Sequence, residues 1–146
     1  WWKFSEYEFK GVPIRIAIGP RDIKNGTVEV ARRDTLKKEI LEISNLSNKI
    51  ENILDQIQNN LYNKAFNFRD NYTHEANTWE EFKQLISKDS GFIYAHWDGT
   101  KETEQKIKEE TKATIRCIPL NNKIEQGICI YSGKKSIQKV IFSKAY

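Results

Sequence analysis

Apolar and polar residues first alternate in pairs along the chain. Ile14, Ile16 and Ile18 stand at every second position, with Arg15 and Ala17 between them. That period turns one face of a strand towards a core. Pro13 falls near the start, where a missing N–H is tolerated. The run stops in Gly19-Pro20-Arg21-Asp22, read as a charged turn. Thr27 to Ala31 alternates again, and the Asn25-Gly26 dipeptide before it is a turn signal, so the two strands are expected to form a hairpin. Arg32-Arg33-Asp34 closes it with a second charged rim. Lys37 to Ile43 either pairs as a further strand or leads into a helix.

The apolar spacing then changes to three and four. Leu46, Ile50, Ile53, Leu54, Ile57, Leu61, Ala65 and Phe68 mark one face of an amphipathic helix. At 3.6 residues per turn it runs for roughly six to seven turns. Asparagines on its other face lower its intrinsic propensity, so packing must hold it. Asp70 to Asn77 is polar and reads as a boundary. Thr78 and Glu81 have the spacing of a capping box, which predicts a short helix to about Ser87.

After Gly91, residues 92–96 read as a strand, 101–110 as a charged helix anchored by Ile107, and 113–118 as a strand ended by Pro119. Residues 128–131 and 140–142 read as short strands around a Ser132-Gly133 turn. The expected core of this half is Phe92, Tyr94, Trp97, Ile115, Ile118, Ile130, Tyr131, Val140 and Phe142. The order is β-rich, then a long helix, then α/β with a β-rich end, without an internal repeat.

Composition narrows the function classes. A chain of 146 residues makes one or two small domains. No apolar run approaches the ~20 residues of a membrane span, so no membrane partner is expected. The first residues lack the apolar core of a secretory signal. The net charge of +4 suits a solvated surface or a polyanionic partner. Two cysteines make no disulfide framework and point to a reduced, cytoplasmic setting. The absence of methionine leads to the expectation that the chain is a piece of a longer one, with part of its function upstream.

Catalytic signatures are missing. There is no P-loop, no HExxH and no nucleophile elbow. Cys117 or Cys129 with His74 or His96 would make a nucleophile only as a spatial pair. Cys117, in an apolar strand, suits a packed thiol. Taken singly, Arg15 in a strand fits a solvated face or a salt bridge, and Phe4 fits a core. As chemistry, an arginine can offer two donors to guanine O6 and N7, a carboxylate can accept from guanine N1 and N2, and an aromatic ring can stack on a splayed base.

Several segments, in order, carry a resemblance. They are Trp2-Lys3-Phe4, Glu8 to Asp22, Ala31 to Thr35, Leu61 to Ala65, Gly91 to Gly99, Lys108 to Leu120, and Phe142 to the terminal Tyr146. Together they resemble the C-terminal part of prolyl-tRNA synthetase of the archaeal and eukaryotic type. The resemblance implies an α/β fold: residues 1–72 as the latter part of a class II synthetase anticodon-binding domain, a mixed sheet with helices, and residues 73–146 as a small α+β C-terminal domain. It implies tRNA(Pro) and the protein's own upstream catalytic domain as partners, and a homodimeric parent. ATP and Mg would belong to that upstream domain, with no cofactor in this stretch. A free-standing, non-catalytic tRNA-binding module of the same descent is the alternative.

The resemblance also implies site residues. Phe4, Glu8, Arg15, Asp22 and Lys37 fall where the family reads the anticodon. Arg32 and Arg33 are phosphate-contact candidates by charge. The family's C-terminal domain holds zinc between four cysteines; here those positions fall on Asp98, Thr103, Cys129 and Ser132, so zinc is not expected. His96 shares a strand face with Asp98, but one His, one Asp and one Cys make a poor structural site. The C-terminal Tyr146 in the family reaches back towards the catalytic domain.

Overall fold

The computed structural model describes residues 2–88 and 91–144, so Tyr146 lies outside the described residues. Its contacts divide into two units, Trp1–Phe66 and Asn67–Tyr146.

The first unit opens with a helix that the apolar spacing did not predict, α1 (Trp2–Phe9). Trp2, Tyr7 and Phe9 are all at least half exposed, so α1 has no buried stripe to read. A Lys10–Glu6 ion pair at 2.7 Å and a hydrogen bond from Val12 N to Tyr7 O close its end. Strand β1 (Ile14–Ala17) follows. The charged turn of the sequence reading is in fact a short helix, α2 (Pro20–Asn25). Proline suits the first helical position, and Asp22 accepts from the Gly19 N–H at 2.8 Å. Gly26 ends α2 with φ of 66°, a left-handed conformation that glycine adopts without steric cost. The Asn25-Gly26 signal thus marks a helix end rather than a two-residue hairpin turn.

Strands β1, β2 (Thr27–Arg32) and β3 (Lys38–Glu42) form an antiparallel sheet in that order, so residues 37–43 mainly pair rather than begin a helix. The mixed sheet expected here is wholly antiparallel among the described residues, because each connection returns the chain directly. Ile16 lies opposite Val30, and Val28 opposite Leu41. One turn of 3-10 helix leads into α3 (Leu46–Asn71). Its Ile53 and Ile57 bury Val28 and Val30, with Ile14, Leu41, Leu46 and Ile50 around them. Polar groups tie the same surfaces together. Arg32 makes two hydrogen bonds to Asp34, at 2.9 and 3.1 Å, and one to Gln56 at 2.9 Å; Asn60 donates to Asp34 at 2.8 Å.

That network makes a pH prediction. The Asp34 side chain is 1% exposed, and its hydrogen bond from Arg32, helped by Asn60, outweighs burial and lowers its pKa from 3.8 to about 2. A carboxylate depressed in the folded state adds stability above its unfolded pKa and loses it as pH falls through the folded value. The urea midpoint of the first unit should therefore fall between about pH 4 and pH 2. Asp34→Asn should lower the neutral-pH midpoint and flatten that slope.

The second unit contains β4 (Thr73–Glu75), α4 (Trp79–Lys88), β5 (Phe92–His96), α5 (Lys101–Thr111), β6 (Ala113–Cys117), β7 (Gly127–Ile128), β8 (Lys135–Ser136) and β9 (Lys139–Lys144). Its main sheet is mixed, in the order β4-β5-β9-β6, with β4 and β5 parallel and the other pairs antiparallel. β9 enters the centre of this sheet, so residues 128–131 and 140–142 do not form one hairpin around the Ser132-Gly133 turn. β7 pairs with β8 as a separate two-stranded ribbon.

Strand parity corrects the expected core. Ile93, Ala95, Val140 and Phe142 point to the buried face, packed against Phe82 and Ile86 of α4 and Ile107 of α5. Phe92 and Ile118 are 41% and 46% exposed, because one residue's shift along a strand reverses the face. Cys117 follows a bulge in β6 and is exposed rather than packed, while Cys129 is buried.

The α4 cap forms as its spacing predicts. Glu81 N donates to Thr78 Oγ1 at 3.2 Å, and Glu81 Oε2 accepts from Thr78 N and Asn77 N. Thr78→Ala should cost about 1 kcal/mol in a urea titration.

Candidate nucleic-acid interface

Helix α1 and strand β1 bring three of the expected site residues together. Phe4 and Glu8 are four residues apart on one face of α1, and Tyr7 lies on the same side. Arg15 leaves β1 towards them. Its Cζ sits 4.0 Å from the centroid of the Phe4 ring, and its Nη1 donates to Glu8 Oε1 at 2.7 Å. The guanidinium is held by a cation–π contact on one side and a carboxylate at its edge. Its Nε is buried and has no partner among the described residues. These groups line an open cavity of about 220 Å³ whose walls include Tyr7, Val12 and Ile14. Aromatic and aliphatic walls closed by a charged pair offer a base both a stacking surface and an edge to read.

Arg33 joins this cluster: its Nε donates to the Glu8 carbonyl at 2.7 Å, and its backbone N–H donates to Pro13 O at 3.0 Å. The other candidates lie apart. Asp22 has one oxygen engaged at the start of α2. Lys37 lines a second cavity of about 260 Å³ with Arg32, Thr35, Lys38 and Glu39. Arg32 has its guanidinium engaged by Asp34 and Gln56, a bracing role within the fold. Residue-by-residue reading missed Tyr7 and Val12. The spacing of Phe4, Tyr7 and Glu8 at three and four would have shown Tyr7 once α1 was recognised as a helix.

Three of the four positions that the resemblance gives to zinc, Asp98, Thr103 and Ser132, converge in the second unit, but as hydrogen-bonded oxygens. Asp98 accepts from Thr100, Thr103 and Ser132. Burial raises its pKa, but the hydrogen bonds from Ser132, Thr100 and Thr103 outweigh that and bring it from 3.8 to about 2. Cys129 is buried at the start of the same turn, where its N–H donates to Lys134 O at 2.8 Å. His96 lies 3.1 Å from Ser136 Oγ through Nδ1. Gly127 covers its Nε2 so closely that a Cβ there would overlap the ring. One thiol, one carboxylate and hydroxyls bonded to that carboxylate do not fit a tetrahedral structural zinc site. Among the described residues, no group of three or more His, Cys, Asp or Glu could hold a metal. No described helix is long and apolar enough to cross a membrane.

Comparisons with known proteins match this layout. The family described as "Anticodon binding domain" matches residues 1–53, and "Prolyl-tRNA synthetase, C-terminal" matches residues 79–146. Proline–tRNA ligase of Amoebophilus asiaticus is 57% identical over 145 residues, 99% of this chain and 30% of the relative. That of Cytophaga hutchinsonii is 57% identical with the same coverage, and that of Porphyromonas gingivalis 54% identical over 99% of this chain and 29% of the relative. The chain thus spans about 30% of the length of the curated relatives it matches, and these relatives are bacterial. With an anticodon-binding domain at one end, the prolyl-tRNA synthetase C-terminal domain at the other, and identity above half across nearly all its length, this chain belongs to the prolyl-tRNA synthetase family, of which it comprises the anticodon-binding and C-terminal regions.

Proposed function

We propose that this chain binds the anticodon of tRNA(Pro) for a cytoplasmic proline–tRNA ligase, with residues 1–72 as the anticodon reader and 73–146 as the C-terminal domain. The longer protein would activate proline with ATP and Mg in an upstream catalytic domain, as a homodimer, and then esterify the tRNA. The name of the relatives supports that reading. The chemistry of the bound base rests on one observation, the Arg15 guanidinium held between Phe4 and Glu8. Held there, Arg15 can present donors to guanine O6 and N7 while Glu8 can accept from guanine N1 and N2. Phe4 and Tyr7 supply ring faces to a splayed base. Asp22 and Lys37 complete the proposed reader. Arg33 would meet phosphate by its charge, and Arg32 contributes charge while bracing β2 against α3.

The test is binding of the chain to a stem-loop with a UGG anticodon and to the same stem with a scrambled loop. The UGG loop should bind more tightly. Affinity should fall with salt at a slope of roughly −0.7 per neutralised phosphate. Equal affinity for both loops would overturn the assignment.

A further inference from the structure

We infer that Asp98 is a metal-free staple of the C-terminal unit, holding together by hydrogen bonds the three segments that zinc joins in the family the chain resembles. A carboxylate has about four lone-pair sites, and here all four are filled. Oδ1 accepts from Thr100 N at 3.0 Å and Thr100 Oγ1 at 2.8 Å. Oδ2 accepts from Thr103 Oγ1 at 2.8 Å and Ser132 Oγ at 2.6 Å. The donors come from the β5–α5 loop, the first turn of α5, and the turn between β7 and β8.

The arrangement is closed further at each donor. Thr100 Oγ1 also caps α5, accepting from Thr103 N at 3.3 Å. Ser132 Oγ accepts from Lys134 N at 3.3 Å, and Gly133 N donates to Cys129 O at 3.1 Å, so the turn that carries Ser132 is itself rigid. Thr103 is 5% exposed. Charge-assisted hydrogen bonds of this kind are about twice as strong as neutral ones. Because all three hydroxyls lie within hydrogen-bond distance of Asp98, a cation at this place would have to break the bonds that make it.

The substitution is coherent across positions. An acceptor-only carboxylate at 98 requires donors at 103 and 132, and threonine and serine supply them. A thiol left at 129 then has no metal to bind and packs as a small apolar group, 2% exposed.

The experiment uses the full chain purified without chelator. Elemental analysis should find no stoichiometric zinc, and a strong chelator should leave the thermal midpoint unchanged. Asp98→Asn puts an NH₂ donor against existing donors, so its urea midpoint should fall and the Thr100 amide should lose hydrogen-exchange protection. Ser132→Ala, a milder change, should lower the midpoint by less, and Ser132→Thr should retain it. The two losses should be non-additive in Asp98→Asn/Ser132→Ala. Stoichiometric zinc whose removal lowers the midpoint overturns the inference. So does an Asp98→Asn or Ser132→Ala chain as stable as the parent.

Discussion

Replacing Arg15 by alanine should weaken binding of a UGG stem-loop about 5- to 150-fold, the equivalent of ~1–3 kcal/mol for one bidentate base contact. Arg15 is singled out because, of Phe4, Glu8, Arg15, Asp22 and Lys37, it alone offers a planar fork of donors, and it is already oriented by Phe4 at 4.0 Å and Glu8 at 2.7 Å. Little ordering is then left for the binding step. A scrambled loop should lose far less, since it meets Arg15 only as a charge. Arg15→Lys separates the two contributions: it keeps the charge but lacks the fork, so it should behave like alanine on the UGG loop and like the parent on the scrambled one. Fluorescence anisotropy with both loops reads the ratio. If Arg15→Ala binds both loops as the parent does, the guanidinium is an internal ion-pair partner of Glu8 and nothing more.

Phe142→Ala should cost the second unit ~3–5 kcal/mol, the range for a buried phenylalanine truncated in a packed core. Phe142 is fully buried in β9, at the centre of the sheet, between Ile93 of β5 and Ile115 of β6. Its ring meets Phe82 of α4 edge-to-face, with centroids 5.2 Å apart. Truncation removes contacts with two strands and a helix at once, and β9 is held too firmly on both sides to collapse into the gap. A urea titration followed by the fluorescence of Trp79 and Trp97, which pack against this core, measures the loss. A cost below about 1 kcal/mol would mean that the surroundings refill the cavity, contrary to the packing described.

The candidate site was partly legible because its chemistry is written in residue types. Glu8, Arg15 and Phe4 could be named as a carboxylate, a fork of donors and a ring before any geometry was known. Their convergence could not, because it depends on α1, a helix whose apolar residues are exposed and therefore leave no periodic stripe. Arg32 shows the opposite case. Charge alone made it a phosphate candidate, whereas its partners Gln56 and Asn60, reached directly and through Asp34, lie more than twenty residues away in α3.

By itself, the sequence determined the elements whose signal is local. The long apolar stripe makes α3, the Thr78–Glu81 pair caps α4, and alternation makes β1 and β2, because side-chain spacing and capping act within a few residues. It also determined membership of the family, which resides in the order of residues. Tertiary structure decided what depends on distant partners. It inserted β9 between β5 and β6, turned Ile93 rather than Phe92 inward, and brought Ser132 onto Asp98. Strand order and hydrogen-bond closure are settled by burial and pairing between segments far apart in the chain, and local spacing carries no record of which segments will meet.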